Sequence, residues 1–377
     1  MRIAVIGAGV VGLAAAVGLQ GDGHEVAVWE QREDPNPKGA GLTLFRNALE
    51  AFDVLGLGAE VRRASSGAIA SMRAGQRTPN GKWLLTAPNA TASSIRTIHR
   101  RDLHRLLIDR LDGGTLHTRA RATVRSDGAA RIHVAGGELS CDLVVVADGI
   151  RSGNRRLLGY DTPLRYAGCT VWRGVTDHPV DLRGEAGETW GRGRIFGLVP
   201  LPGGRVYWFA SMNLPEGCIF PDEHASVTGL FEDWHDPIPE CIAATRPEQV
   251  MRHDIHDLAA PLSSFVRGRT VLLGDAAHAM TPNLGQGAGQ GIEDAATLTH
   301  LLRGVSPDEI DGRLARYRML REKRTRTIQQ RSRTATRIAQ ASHPVSVRSR
   351  DLLMRLMPGR LFGRLSSRMQ VWPNPAE

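Results

Sequence analysis

Three acidic residues, Glu30, Asp148 and Asp275, each stand at or just past the end of a short apolar run. For Glu30 the context is complete. A strand from Arg2 to Ile6 leads into Gly7-Ala8-Gly9-Val10-Val11-Gly12, an alanine-rich helix to about Leu19 and a second strand from Glu25 to Trp29, with the acid 18 positions beyond Gly12. This arrangement binds a dinucleotide: the glycines allow a tight turn, backbone approach to a pyrophosphate and close helix packing, while the acid accepts both ribose hydroxyls. An acid at this point favours an unphosphorylated ribose, so FAD or NAD rather than NADP.

Asp275 belongs to a different device. The stretch VLLGDAAHAMTPNLGQGAGQGIED, Val271 to Asp294, passes from an apolar strand through Gly274-Asp275 and a turn at Pro282-Asn283 into a glycine-rich helix start. It offers one carboxylate and a set of free backbone N–H groups to an anionic or electron-rich ligand. Asp148 repeats the strand, acid, glycine order after the apolar strand Asp142 to Val146, which brings a second carboxylate near the same sheet edge.

The elements that hold these residues fill about two domains, given 377 residues. A hydrophobic content of 41% and a charged content of 23% suit a soluble globular chain, and no run reaches the ~18 apolar residues of a membrane span. The apolar stretch from Ile3 to Leu19 lacks a basic flank and is broken by glycines, which argues against an export signal. Cys141, Cys169, Cys218 and Cys241 are far apart, so neither a metal site nor a disulfide framework is expected, and a reducing cytoplasm fits. The net charge of +9 is almost all arginine, scattered and without an aromatic ladder, so nucleic acid is not the expected partner. The densest region, Arg313 to Arg337, reads as the solvated face of a long helix.

Between the acidic tips, His99 to Leu111 is an amphipathic helix opened by Arg100 and Arg101, and Lys38 to Leu44 is a second glycine loop. An arginine at a helix start opposes the dipole, so a phosphate or a flavin edge is the expected partner for one of the pair. Leu164 to about Val250 has a different texture, with most of the tryptophans and the short strands Cys169 to Val175, Gly193 to Pro200 and Arg205 to Met212. This predicts an antiparallel sheet with one wet face and one face over a pocket, on which Arg192 pairs in direction with Arg194 and Tyr207 with Phe209. Two C-terminal helices follow, and Trp372 to Glu377 reads as a frayed end.

Together these residues resemble the FAD-dependent aromatic hydroxylases, the single-component flavoprotein monooxygenases related to p-hydroxybenzoate and salicylate hydroxylases, over essentially the whole chain. Asp148, Gly149, Ser152 and Arg155 match the family's D-G-x-x-S-x-x-R segment, Gly274, Asp275, His278 and Pro282 its G-D-A-A-H-x-x-x-P segment, and His99, Arg100, Asp102 and Leu103 its H-R-x-D-L helix start. Trp172-Arg173-Gly174 and the hairpin around Tyr207 are most similar to the branch containing urate hydroxylase and zeaxanthin epoxidase. The chain departs from the family at Arg46-Asn47, commonly Pro-Asn, and at Gly285-Gln286-Gly287-Ala288-Gly289, commonly G-Q-G-x-N. The second departure removes one side-chain hydrogen bond to the flavin and leaves the backbone N–H groups.

The resemblance implies an α/β fold: a Rossmann-type, p-hydroxybenzoate hydroxylase-like FAD-binding domain from 1–70, 98–163 and 261–305, an antiparallel β-sheet substrate domain from 71–97 and 164–260, and C-terminal helices over 306–377 packed on the FAD-binding domain. It assigns FAD to Gly7, Gly9, Gly12, Glu30, Arg32, Arg100, Asp148, Arg155, Gly274, Asp275, Pro282, Gly285, Gly287 and Ala288. NADH or NADPH would bind transiently, and oxygen from O2 would pass through a flavin C4a-hydroperoxide to an aromatic or heteroaromatic substrate. Tyr207 and Arg194, with Arg173 third, are the expected pocket residues, the arginine holding a substrate oxygen and the tyrosine orienting or deprotonating the ring. His278 is expected to be structural or flavin-adjacent, and the protein a monomer or homodimer. The rival readings are a reductase or oxidase of the same superfamily and a flavin-binding regulator on nucleic acid; a flavin halogenase would show W-x-W-x-I-P, which is absent.

Overall fold

Leu143–Val146 is buried at every position, as a parallel strand covered on both faces must be. It sits in a six-stranded sheet in the spatial order Val266–Arg267, Thr270–Leu272, Leu143–Val146, Arg2–Ile6, Glu25–Trp29 and Leu116–His117. All neighbours run parallel except the first pair. The computed structural model describes residues 1–35, 40–88 and 92–375, so Lys38 and Gly39 of the second glycine loop lie outside the described residues. Ile6, Val146 and Leu272 are in register across three adjacent strands, and the chain leaves all three at one sheet edge. That edge, outside the carboxyl ends of parallel strands, is where open α/β sheets bind ligands. Helix Val10–Gly21 packs closely on helix Gly287–Leu302: a Cβ at Gly291 would lie 2.3 Å from Val11 Cγ2.

The second sheet has seven strands, in the order Met251–Leu258, Leu164–Val175, Val206–Asn213, Arg194–Pro200, Glu185–Trp190, Arg73–Arg77 and Trp83–Thr86. Residues 71–97 therefore supply its last two strands. Its expected wet face is covered instead. Trp172, Phe196, Trp208, Phe231 and Trp234 form a buried cluster beneath helices Glu223–Phe231 and Ile238–Ala243. Aromatic side chains of this size, alternating on one face of neighbouring strands, need a cover to leave water. The opposite face carries Val175, Val199, Tyr207, Phe209 and Met251 and meets the first sheet's domain, where the Tyr207 ring fills the place a Cβ of Gly41 would take, 2.4 Å from its Cγ.

Helix Ile310–Ala339 is not simply solvated along its arginines. Arg321 is fully buried, and Arg333 joins Arg165 on the buried carboxylate of Asp257 in the second sheet. Helices Pro344–Leu356 and Gly359–Gln370 complete the chain, and the first of them packs not on the nucleotide domain, as expected, but on strand Trp83–Thr86 of the second sheet. Trp372 is not frayed; it is 4% exposed and packs into the first core. Among the described residues no helix is long and apolar enough to cross a membrane.

Candidate active site

The first turn is shaped by contacts that only glycine permits. Gly7 has φ of +104°, and a Cβ on Gly12 would lie 2.0 Å from the Gly7 carbonyl oxygen, so the helix starts tight against the strand. A Cβ at Gly9 would meet nothing within 4 Å, which leaves open space over the turn. Gly9 starts helix Val10–Gly21 with no side-chain cap, so its first N–H groups face that space. Glu30, 5% exposed, accepts hydrogen bonds from Ala8 N–H (3.0 Å) and from Arg32 N–H and Nε (2.9 and 3.1 Å). Burial opposes its ionisation, but the Arg32 hydrogen bonds and the Ala8 N–H outweigh it and hold the pKa below the usual value. A carboxylate kept ionised beside an uncapped helix start fits the ribose and pyrophosphate of a dinucleotide.

The next two carboxylates stand at neighbouring strand ends. Asp148 accepts from Asn154 Nδ2 (2.9 Å) through one oxygen, and its other oxygen is buried without a partner among the described residues. Arg155 does not reach outward. It is 3% exposed and donates to the carbonyls of Ile150 (2.9 Å) and Ala276 (3.2 Å), which ties the Asp148 segment to the Asp275 segment. Asp275 is exposed and has no hydrogen-bond partner among the described residues, although Arg100 and Arg155 feel its charge. Pro282 and Gly285 are exposed beside it, and Gly287 and Ala288 are half-buried at the start of helix Gly287–Leu302, which no side chain caps.

Beneath that helix start lies a buried charge network that spacing did not reveal. Asp294 accepts from Gly274 N–H (2.9 Å) and Arg321 Nε (2.7 Å) and shares a 2.5 Å hydrogen bond with His278. Glu293 accepts from Asn47 (2.6 Å), Gln290 (2.8 Å), Arg324 (2.6 and 2.7 Å) and Arg321. Burial opposes both ionised carboxylates, yet the charges of Arg321 and Arg324 on Glu293, and of His278 and Arg321 on Asp294, hold both below the usual range. His278 is thereby structural: it locks the Gly274-Asp275 turn onto the helix. The available signal was the adjacent pair Glu293-Asp294 inside an otherwise apolar run, which needs cationic partners if buried.

Over this floor, the sheet presents Arg173 and Tyr207. Strand pairing puts Arg173 opposite Phe209 and Met251, and Tyr207 opposite Val175 and Val199, all on the covered inner face. Arg100 opens helix Arg100–Asp109, whose N-cap His99 accepts from the Arg101 N–H, and it belongs to the same region: burial lowers its pKa, Asp275 opposes this, and Arg173 and Arg32 add to it. Nε of Arg100 and Nε of Arg173 are both buried without a partner among the described residues. His253, unnoticed in the sequence, pairs with Val171 and so shares this face; burial and the charges of Arg173 and Arg100 lower its pKa. Burial raises the Tyr207 pKa despite the charges of Arg173 and Arg100, which favours the protonated phenol.

Arg194 is not part of this group. It alternates with Ile195 on its strand and falls on the face of Phe196 and Trp208, where it donates to the Leu230 carbonyl (2.7 Å) and lies over the Trp234 ring. It is also five positions from Val199, the partner of Tyr207, or roughly 17 Å along a strand. Arg192 lies outside the strands, exposed in the preceding turn.

A buried acid for a ribose, two further carboxylates at adjacent strand ends and an unblocked helix start under a polar-tipped sheet are what FAD requires of a protein, and they define a flavin-dependent enzyme. Residues 1–332 match the family model described as FAD binding domain, and the chain belongs to the FAD-dependent aromatic hydroxylases. It is 35% identical to aurachin C monooxygenase/isomerase of Stigmatella aurantiaca, with 99% of each chain covered. It is 33% identical to 2-heptyl-3-hydroxy-4(1H)-quinolone synthase of Pseudomonas aeruginosa, covering 98% of this chain and 97% of that one. Among solved structures, Klebsiella pneumoniae HpxO complexed with FAD and uric acid superposes with a TM-score of 0.89 at 28% identity, over 100% of this chain and 98% of that one.

Proposed function

We propose that the protein is an NAD(P)H-driven FAD monooxygenase that places one oxygen atom of O2 on the ring of a 4-quinolone or a closely similar electron-rich heteroaromatic. The observation that supports this most is the pair Arg100 and Arg173, whose Nε groups are buried without a partner among the described residues and whose charges are felt by each other and by Tyr207, with Asp275 within reach of Arg100. Such a pair suits a carbonyl oxygen on which negative charge grows as a ring carbon gives up electrons. The Pseudomonas relative, a quinolone synthase by name and matched end to end, supports the ring class.

Bound FAD would supply the redox chemistry, with the balance substrate-H + O2 + NAD(P)H + H⁺ giving substrate-OH + H2O + NAD(P)⁺. The residues of this chain do the rest. Asp275 holds the ribityl hydroxyls, and the start of helix Gly287–Leu302 brings about half a positive charge to the electron-rich edge of the ring system. Tyr207 donates to a substrate oxygen, while His253, exposed on this face with its pKa lowered by partial desolvation and by its arginine neighbours, can accept a ring proton. Val175, Val199, Phe209 and Met251 exclude water from the reacting carbon.

Substituting the two arginines separates the sheet faces. Arg173→Leu is expected to lower kcat/KM for 2-alkyl-4(1H)-quinolones, read as substrate-stimulated NAD(P)H oxidation, by about 10²- to 10³-fold, the usual effect of removing one oxyanion donor. Arg194→Leu is expected to leave it within about twofold, as it removes a hydrogen bond to Leu230 and a contact with the Trp234 ring on the far face of the sheet. The reverse order of effects would move the pocket to the other side of the sheet.

A further inference from the structure

The C-terminal helices Pro344–Leu356 and Gly359–Gln370 are docked on one side only. Arg350, 6% exposed, anchors them through the carbonyls of Ala339 (3.0 Å) and Gly191 (3.2 Å) and lies over the Trp190 ring. The inner side rests on the edge strand Trp83–Thr86 of the second sheet. On the outer side, Val345, Leu352, Leu353, Leu356, Leu361 and Leu365 are between 47% and 68% exposed, unusual for large apolar residues in one patch. The spacing of 345, 352 and 356, and of 361 and 365, makes this a stripe along each helix.

The flanks of the stripe are basic. Residues 344–370 contain six arginines and a single acid, Asp351, which already pairs with Arg350. Arg360, Arg364 and Arg368 are exposed and spaced by four, so they form one row beside Leu361 and Leu365. Neither helix can span a bilayer, and an apolar stripe with an arginine border is the pattern of a helix lying in the membrane interface. A second copy of the chain fits less well, because a twofold contact would set the two arginine rows against each other. Nucleic acid would use the arginines and leave the leucines in water.

We infer that this helical pair is a peripheral membrane-docking face, whose leucines enter the headgroup boundary of an anionic phospholipid bilayer and whose arginines pair with its phosphates. Docking brings the outer edge of the substrate sheet to the lipid, where an aromatic substrate with an alkyl chain would concentrate. The contact stands whether or not the substrate is a quinolone.

The test is flotation of the full-length, FAD-loaded protein with vesicles of phosphatidylcholine alone or mixed with phosphatidylglycerol. Binding to the mixed vesicles is expected, weaker by about tenfold or more on phosphatidylcholine alone and in high salt. The pair Leu353→Ser with Leu356→Ser, and separately Arg360→Gln with Arg364→Gln and Arg368→Gln, should each weaken binding by about tenfold or more while leaving FAD content and turnover in detergent-free solution unchanged. The inference is overturned if the protein stays with the buffer, or if the leucine pair leaves binding intact. It is equally overturned if the wild type sediments as a dimer that those leucine changes convert to a monomer.

Discussion

Arg321→Met is expected to lower the stability of the apoprotein by about 3–5 kcal/mol, the cost of leaving a buried charge without its partner. Arg321 is the cation common to Glu293 and Asp294, and all three side chains are essentially inaccessible to solvent. Methionine keeps much of the volume, so the loss would be electrostatic rather than a cavity. A fall in apoprotein Tm of about 5 °C follows for a chain of this size. The pH dependence identifies the cause. Both carboxylates have native pKa values held below their unfolded ones, so they stabilise the wild type above about pH 4–4.5, and that stability is lost as pH falls through the native values. Without Arg321 the same burial favours the protonated acids, so the gap between variant and wild type should narrow towards acid pH. A loss under ~1 kcal/mol at neutral pH, or a gap that does not change with pH, would show that the network does not hold the helix start.

The second large effect is on cofactor affinity. Asp275→Ala is expected to weaken FAD binding by about 10- to 100-fold, the worth of one hydrogen bond to a charged group, with Asn recovering part of it. The native Asp275 is exposed and makes no hydrogen bond among the described residues, so the substitution removes no contact that the fold uses. Thermal unfolding of the apoprotein should therefore stay unchanged while the FAD dissociation constant, followed by quenching of flavin fluorescence, rises. An unaltered dissociation constant would remove Asp275 from the cofactor site.

What could be read from the sequence is what sequence neighbours decide. The turn from Gly7 to Gly12, the acid at Glu30 and the acid-glycine tips at Asp148 and Asp275 are each set within a few residues of a strand end, and the structure brings all of them to one sheet edge. Alternation along the strands was read correctly for Tyr207 and Phe209, but alternation does not say which face meets the flavin domain. The close approach of the Tyr207 ring to Gly41, a residue far away in the chain, goes with that choice, and it leaves Arg194 on the face opposite to Arg173, Tyr207 and His253. The arginine-rich helix hides a similar ambiguity. Arg321 looks like its neighbours until Glu293 and Asp294, 28 and 27 positions earlier, are known to be buried against it. Trp372 is held in place by a core whose other buried residues all lie more than 50 positions earlier in the chain.

The most direct test is the fate of oxygen. Purified, FAD-loaded protein is supplied with NADH or NADPH and a 2-alkyl-4(1H)-quinolone under 18O2, with urate and a simple phenol in parallel, and the products are weighed by mass spectrometry. The expected result is quinolone-stimulated NAD(P)H oxidation with one 18O atom in the organic product and the other in water. NAD(P)H oxidation stimulated by substrate, with all the labelled oxygen recovered as hydrogen peroxide and none in any product, would contradict it and make the protein an oxidase.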